Sequence, residues 1–385
     1  MTIDTKGVST PAGWRRVDDT VENRGPHVRP DVTLCHVTAS AERWGALGDA
    51  MVAAGVNYRP WESQGLNDDE CFVCATALSD SNRTVEDVLP RWMQREIMPP
   101  RQPKPKIHLP NDSLLVPKVL IPACKPCNNE HLSKVEIEVS RAFKSGAEAV
   151  RALPERTLRI WFAKIAYGLR RHDMRLRSVQ RDPEASMLAR ASDLKQLSHL
   201  HTLLQECRGV VGLSEGHSTF FAFESQQVGC NICDFDLAVP IGWPYPLMVR
   251  LGSVTLMGAV DDRGSLESLR LTSEFATADR LPLHPIQVRA LWALLVHRSL
   301  LLREDQLPVL HGVPDGQLLI HRQVVLGSVV DAERQTATAD QILRNLIGAS
   351  VKALVRQGGI AGLFLMPDGT PRTMPFQHGA LSLGD

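Results

Sequence analysis

The sequence predicts an α+β protein with a cysteine-bounded N-terminal module, a helical segment and a mixed α/β C-terminal region. Three observations predict this order. Two C-x-x-C pairs bracket a turn-rich stretch, apolar residues then recur at helical spacing, and short apolar runs separated by Gly and Pro follow. We therefore divide the 385 residues into an N-terminal arm with a small α/β segment, the cysteine-bounded module, a helical region and a C-terminal domain, with bounds at 1–65, 66–140, 141–208 and 209–385.

The bulk composition is that of an ordinary globular chain. Apolar residues make up 43% and charged residues 22%, and the net charge of zero gives no overall attraction to nucleic acid. The first residues lack the apolar stretch of a secretory signal, and no apolar run reaches the roughly 18 residues of a membrane span. We expect a cytoplasmic protein that contacts no membrane and whose cysteines are reduced thiols.

The N-terminal part combines a polar arm with one strand and one helix. Residues 1–30 are rich in Gly, Pro and charge, which is typical of an arm. Apolar side chains alternate around residue 34, which predicts a strand, and they recur at helical spacing over 44–52. Residues 98–106 contain four prolines, so this stretch is predicted to be an extended loop within the module.

The two cysteine pairs, Cys71 with Cys74 and Cys124 with Cys127, have the spacing of two zinc knuckles. A tight turn lets both thiolates of a pair reach one tetrahedral ion, and two such turns close its coordination shell. A closed four-thiolate site predicts structural rather than catalytic zinc. The alternative is two unrelated pairs that are buried or redox-active.

A third pair, Cys230 with Cys233, has no partner pair in the sequence. It is either a turn whose cysteines pack as small apolar groups, or part of a second metal site. The side chains available to complete such a site are Cys35, Cys207, His217 and Asp234.

The rest of the chain alternates between helical and strand-like patterns. Residues 132–208 carry apolar stripes at helical spacing, whereas short apolar runs after Gly209 predict strands. Residues 284–302 and 339–356 return to the helical pattern. Residues 362–376 predict a hairpin around a Pro-Asp-Gly-Thr turn.

The cysteine-bounded module resembles an HNH endonuclease. Residues 86–92 read EDVLPRW, and Asn128 directly follows the second pair, as in HNH proteins of the form C-x-x-C, E-H-V-x-P-x-W-L, C-x-x-C-N. The resemblance covers about 70 residues. It implies a treble-clef, ββα-metal fold with structural zinc, and hydrolysis of DNA or RNA phosphodiesters by one further divalent cation, Mg²⁺ or Mn²⁺.

Carried over position by position, the resemblance makes Glu86 and Asn128 ligands of the catalytic cation. Asp87 stands where the family has its catalytic histidine, and a carboxylate of reference pKa about 4 is a weaker base than an imidazole. Asp87 is therefore expected to act as a poor base or as a second metal ligand. His131, three residues after Asn128, is either a replacement ligand or base, or a histidine on the helix surface.

Basic residues follow the module. From Lys134 to Arg181 there are twelve basic and five acidic side chains in a chain that is neutral overall. Such clustering suits phosphate contacts, although a solvated helix face balanced by the C-terminal part is the alternative. The candidate phosphate contacts on the proline-rich loop and the helices are Arg101, Lys104, Lys106, Arg170, Arg171 and Arg175.

Three functional hypotheses follow from these residues. The first, which Glu86, Asn128 and the basic helices favour, is a metal-dependent nuclease. The second, which Asp87 favours, is a catalytically degenerate zinc module that binds nucleic acid or protein. The third, which Asp87 also favours, is a subunit of a larger assembly or oligomer, in which residues 209–385 supply the partner surface. Of the three we favour the nuclease, because His131 is nearby and carboxylates suit divalent metals.

Overall fold

The computed structural model describes residues 64–97, 106–108, 113–115, 119–179, 182–213, 215–227, 234–239, 244–302, 309–312, 318–321, 360–366 and 368–372. The predicted arm with its strand and helix, the third cysteine pair, Arg101, Lys104 and the predicted helix 339–356 lie outside these residues. The described chain mixes helices with small sheets, so the mixed α and β class is confirmed. No helix within this part of the chain combines the length and the apolar character needed to cross a membrane.

The N-terminal module is built on an antiparallel strand pair. Its elements are β1 (Arg83–Asp87), α1 (Arg91–Ile97), β2 (Lys106–His108), β3 (Ser113–Leu115), β4 (Leu120–Cys124), a π-helix (Pro126–Leu132) and α2 (Ser133–Ser145). β1 pairs with β4 and β2 pairs with β3, both antiparallel. Proline opens the π-helix, where its missing N–H would have had no helical partner. The chain thus leaves β4 and enters helix directly.

The helical region packs around one long buried helix. Its elements are α3 (Ala147–Arg151), α4 (Glu155–Asp173), α5 (Ala191–Gln196), α6 (Ser198–Leu204) and a 3₁₀ turn (Gln205–Arg208). α4 is buried on nearly every side, including Trp161 and Tyr167. Gly146 separates α2 from α3 at φ 107°, a conformation that costs other residues free energy. The predicted helical character of residues 132–208 is confirmed except for the described residues between α4 and α5, 174–179 and 182–190, which form no helix.

The C-terminal part is organised on a four-stranded antiparallel sheet. The sheet contains β6 (Thr219–Glu224), β7 (Phe235–Ala238), β8 (Pro246–Leu251) and β9 (Val254–Ala259) in the order β6-β9-β8-β7. Gly252, with φ 59°, lies in the two-residue turn between β8 and β9, where positive φ suits the strand twist. The remaining elements are a second sheet of β10 (Val309–Gly312), β11 (Leu318–His321) and β5 (Val211–Leu213), helices α7 (Ser273–Ala278) and α8 (Pro285–Leu300), and 3₁₀ turns at Ser265–Leu271 and Ala361–Leu363.

The two faces of this sheet belong to two hydrophobic clusters. Alternate residues of a strand point to opposite faces, so Val249 joins the cluster that contains α4 while Met248 joins the cluster that contains α8. The first cluster extends into the N-terminal module, where the rings of Trp92 and Trp161 stack at 6.3 Å. The apolar core therefore continues across the bounds predicted at residues 140 and 208.

Candidate metal centre and adjoining groove

The four cysteines of the first two pairs converge on one point. Their sulfur atoms all lie within 4.8 Å of one another, and the sulfurs of Cys74 and Cys124 are 3.7 Å apart. Within the described residues no other set of three or more His, Cys, Asp or Glu side chains is placed to hold an ion. Four largely buried thiol groups fit a structural metal such as zinc, which prefers soft ligands in tetrahedral geometry. The predicted convergence of the two pairs is confirmed.

Backbone contacts shape the first cysteine turn. The amide of Phe72 donates to the carbonyl of Pro122 in β4 at 3.1 Å, which ties the first turn to the strand that carries Cys124. A Cβ on Gly65 would lie 2.0 Å from the carbonyl oxygen of Cys71, so only glycine fits beside this turn. Hydrogen bonds from the thiols of Cys127 and Cys71 lower the pKa of Cys74, which favours a thiolate at this position.

A groove of about 710 Å³ lies beside the metal centre. Its walls are β1, α1, the start of the π-helix and α2. Three of the residues assigned to catalysis by the HNH resemblance, Glu86, Asp87 and Asn128, line it. His131, on the π-helix with Asn128, is half-buried and is not among the described residues that line the groove.

Glu86 is buried and forms an ion pair. Its carboxylate contacts the ammonium of Lys164, which projects from the middle of α4, and the same ammonium contacts Glu136 on α2. Burial raises the pKa of Glu86 to about 7. Burial disfavours the charged form of Lys164, but the attraction of Glu86 and then of Glu136 outweighs it and raises the lysine pKa. The carboxylate of Glu86, which the HNH resemblance assigns to a divalent cation, is therefore paired with the ammonium group of Lys164.

Asp87 and Asn128 are also engaged by neighbouring groups. Arg91 Nε donates to Asp87 Oδ2 at 2.7 Å, and the side chain of Gln94 donates to Oδ1 at 3.1 Å. Both donors are side chains of α1, so the carboxylate links the end of β1 to that helix. The amide nitrogen of Asn128 donates to Thr84 Oγ1 at 2.9 Å, which joins the start of the π-helix to β1.

Arg171 is not available for the phosphate contact predicted for it. Its side chain is 2% exposed, donates to the carbonyl of Gly65 at 2.8 Å and pairs with Asp68 at 3.3 Å. The physical reason is that Arg171 lies on a side of α4 that packs against other parts of the chain, so its guanidinium faces protein instead of solvent. Arg171 thus supports the loop before the first cysteine pair, and we remove it from the set of phosphate contacts.

Arg170 and Arg175 are more exposed but are also paired. Arg170 contacts Asp173 at 2.8 Å, and Arg175 donates to the carbonyl of Leu120 at 2.9 Å. Lys106 lies in β2, and the structure describes only the backbone of that strand. All three candidate arginines between residues 170 and 175 are therefore engaged by groups within the fold.

Four other cations line the groove and are exposed, and one of them, Arg91, also pairs with Asp87. They are Arg91 and Arg95 on α1, and Arg141 and Lys144 on α2. Residues three or four apart lie on the same face of a helix, so each pair presents two cations to one side of its helix. This spacing is visible in the sequence, but the sequence does not show that α1 and α2 line one groove. Two exposed apolar side chains, Val85 and Ile137, also line the groove.

Comparisons of the chain with protein-family models, with curated proteins and with solved structures give no match. Any assignment of function therefore depends on the chemistry of the site itself. Its three components are the four-cysteine centre, the exposed cations of the groove and the buried ion pair of Glu86 with Lys164.

Proposed function

We propose that the N-terminal part of this chain is a zinc-stabilised, HNH-like module that binds nucleic acid in its groove and does not cut it. The observation that carries this proposal is the placement of exposed cations on both walls of the groove, on α1 and on α2. A phosphodiester backbone is a line of single negative charges, and a groove with cations on both sides suits such a ligand.

The HNH-like character is supported by the order of elements around the cysteines. Two antiparallel strands, β1 and β4, are followed by a helical segment that starts at the second cysteine pair. This order resembles the ββα-metal arrangement. The cysteine centre lies at the junction of these elements, where zinc would hold the strand pair and the helix together.

The polar groups of the groove support phosphate binding. Arginine presents planar donors that match phosphate oxygens, and the side chains of Asn129, Ser133 and Ser140 add neutral hydrogen-bonding groups to the walls. The acidic residues of the groove repel phosphate less than their number suggests. Lys164 offsets part of the charge on Glu86 and Glu136, and Arg91 pairs with Asp87.

The proposal that the module does not cut nucleic acid is supported by the contacts that the carboxylates of Glu86 and Asp87 make. A metal ligand needs oxygen lone pairs directed at the ion, and a general base needs to reach a water molecule. Glu86 contacts an ammonium, and Asp87 accepts hydrogen bonds from Arg91 and Gln94. The nuclease hypothesis keeps one supporting observation, which is that Glu86, Asp87 and Asn128 line the same groove.

The test is the binding of fluorescently labelled DNA and RNA strands and duplexes, measured by anisotropy over a range of salt concentrations. The double variant Arg141→Glu, Lys144→Glu is expected to weaken binding at least about tenfold at low salt. It should also make the slope of log affinity against log salt shallower by about two, because two phosphate contacts are lost.

The matched control is Arg190→Glu, Arg280→Glu. These arginines are exposed and lie outside the groove, and the change in net charge is the same. The control should bind nearly as wild type does. Equal weakening by both double variants, or no binding by the wild type at low salt, would overturn the proposal.

A further inference from the structure

Three oxygen atoms surround the ammonium group of Lys164 beneath the groove. It contacts one carboxylate oxygen of Glu86 and one of Glu136, and it donates to the carbonyl oxygen of Asp87 at 2.8 Å. The lysine side chain is 1% exposed, and that of Glu86 is 6% exposed. The three N–H donors of an ammonium are thus matched by three acceptors, which is the condition for burying a charged lysine.

The three acceptors come from two elements of the module, and the lysine comes from a third element. Glu86 and Asp87 lie in β1, Glu136 lies in α2, and Lys164 reaches them from α4. A buried lysine loses rotamer freedom and hydration, and these losses are offset only where partners are already positioned. The convergence of three oxygens on one buried cation is therefore a feature of the folded module and not a chance surface contact.

The same three oxygens form a ligand set for a hard divalent cation. Carboxylate and backbone carbonyl oxygens are the groups that Mg²⁺, Mn²⁺ and Ca²⁺ take from proteins. An ammonium and a divalent ion cannot both lie between these atoms, because the two cations would occupy the same position and repel each other. The charges also differ, since an ammonium balances one of the two carboxylates whereas a divalent ion would balance both.

We propose that Lys164 is the resident cation of the groove, and that its ammonium occupies the position that a divalent ion would otherwise take between Glu86, Glu136 and the carbonyl of Asp87. The positive charge beneath the groove is then supplied by the chain and does not depend on the concentration of metal. The native chain binds structural metal at its cysteines and no second divalent ion at these carboxylates. This inference concerns the metal alone and holds whether or not the groove binds nucleic acid.

The proposal is tested by Mn²⁺ titration of the full-length, zinc-loaded chain, followed by electron paramagnetic resonance and by thermal unfolding. In the wild type, Mn²⁺ should leave the Tm unchanged and show no tight site. Lys164→Ala should have a lower Tm, because the buried carboxylate of Glu86 and the half-buried carboxylate of Glu136 lose their partner. Adding Mn²⁺ should raise that Tm and reveal one bound ion per chain.

The double variant Glu86→Gln, Lys164→Ala is the control, and it should lose the tight Mn²⁺ site because one of the two carboxylates is gone. A folded Lys164→Ala chain that binds no Mn²⁺ would overturn the proposal. If Lys164→Ala folds neither with nor without Mn²⁺, the Mn²⁺ titration of the wild type tests the proposal instead. A tight Mn²⁺ site in the wild type that Glu136→Gln removes would overturn the proposal, and its absence would support it.

Discussion

The Nε2 atom of His201 lies 3.0 Å from the carbonyl oxygen of Val73, in the middle of the first cysteine pair. The side chain of Gln205 donates to the same oxygen at 2.8 Å. Both donors come from α6 and the 3₁₀ turn that follows it, and all three residues are fully buried. The helical region therefore fixes the position of the first cysteine turn through these two hydrogen bonds.

This relationship predicts that His201→Ala weakens the metal centre without changing any ligand. Removing one donor from a buried carbonyl is expected to lower the free energy of unfolding by about 1–3 kcal/mol. Release of zinc to a chromogenic chelator should be faster than from the wild type. Gln205→Ala should act in the same direction, and wild-type release rates in both variants would refute the link between α6 and the centre.

The second prediction concerns the metal itself. The described part of the chain should hold one zinc ion at its four cysteines, and Cys124→Ser should lower the zinc content measured by mass spectrometry. It should also lower the Tm, because structural zinc contributes folding free energy. Cys207→Ser is the matched control, since Cys207 is a buried thiol outside the cluster. Loss of zinc in the control, or full zinc content in Cys124→Ser, would contradict the assignment.

The third prediction is a pH dependence caused by Glu86. Its pKa in the folded chain is raised from 4.5 to about 7, so between these values the folded state binds a proton that the unfolded state releases. The stability that this group contributes therefore falls as pH rises from 4.5 to 7. Glu86→Gln resembles the protonated form at every pH and lacks this dependence.

Urea unfolding of both proteins at pH 5 and pH 8 measures the effect. The stability of the wild type relative to Glu86→Gln should be greater at pH 5 than at pH 8. If the stability difference between the wild type and Glu86→Gln is the same at pH 5 and pH 8, Glu86 is not the source of the pH dependence. A difference of the opposite sign would mean that the folded chain prefers the ionised carboxylate.

The cysteine centre could be predicted from the sequence because its information is local. A C-x-x-C turn places two thiolates by itself, and only the meeting of the two turns depends on the fold. Residues 132–208 were likewise identified as helical from apolar spacing alone.

The environment of the candidate catalytic residues could not be predicted in the same way. A charged side chain such as that of Lys164 is expected to face solvent. The middle of α4 is nevertheless buried, because it packs against distant segments of the chain. Arg171 on the same helix was likewise expected at the surface because it is charged, and it is also buried. The cations of the groove were visible individually, but their common site depends on the placement of α1 against α2.

The most direct test of the proposed function is an assay of binding and cleavage on one set of labelled strands and duplexes, with no added divalent ion and with Mg²⁺ or Mn²⁺. The zinc-loaded wild-type chain is predicted to bind without any added divalent ion, and to leave every strand intact both with and without one. Cleavage that requires Mg²⁺ or Mn²⁺, and that Glu86→Ala abolishes while zinc content stays at the wild-type level, would contradict the account and establish a nuclease.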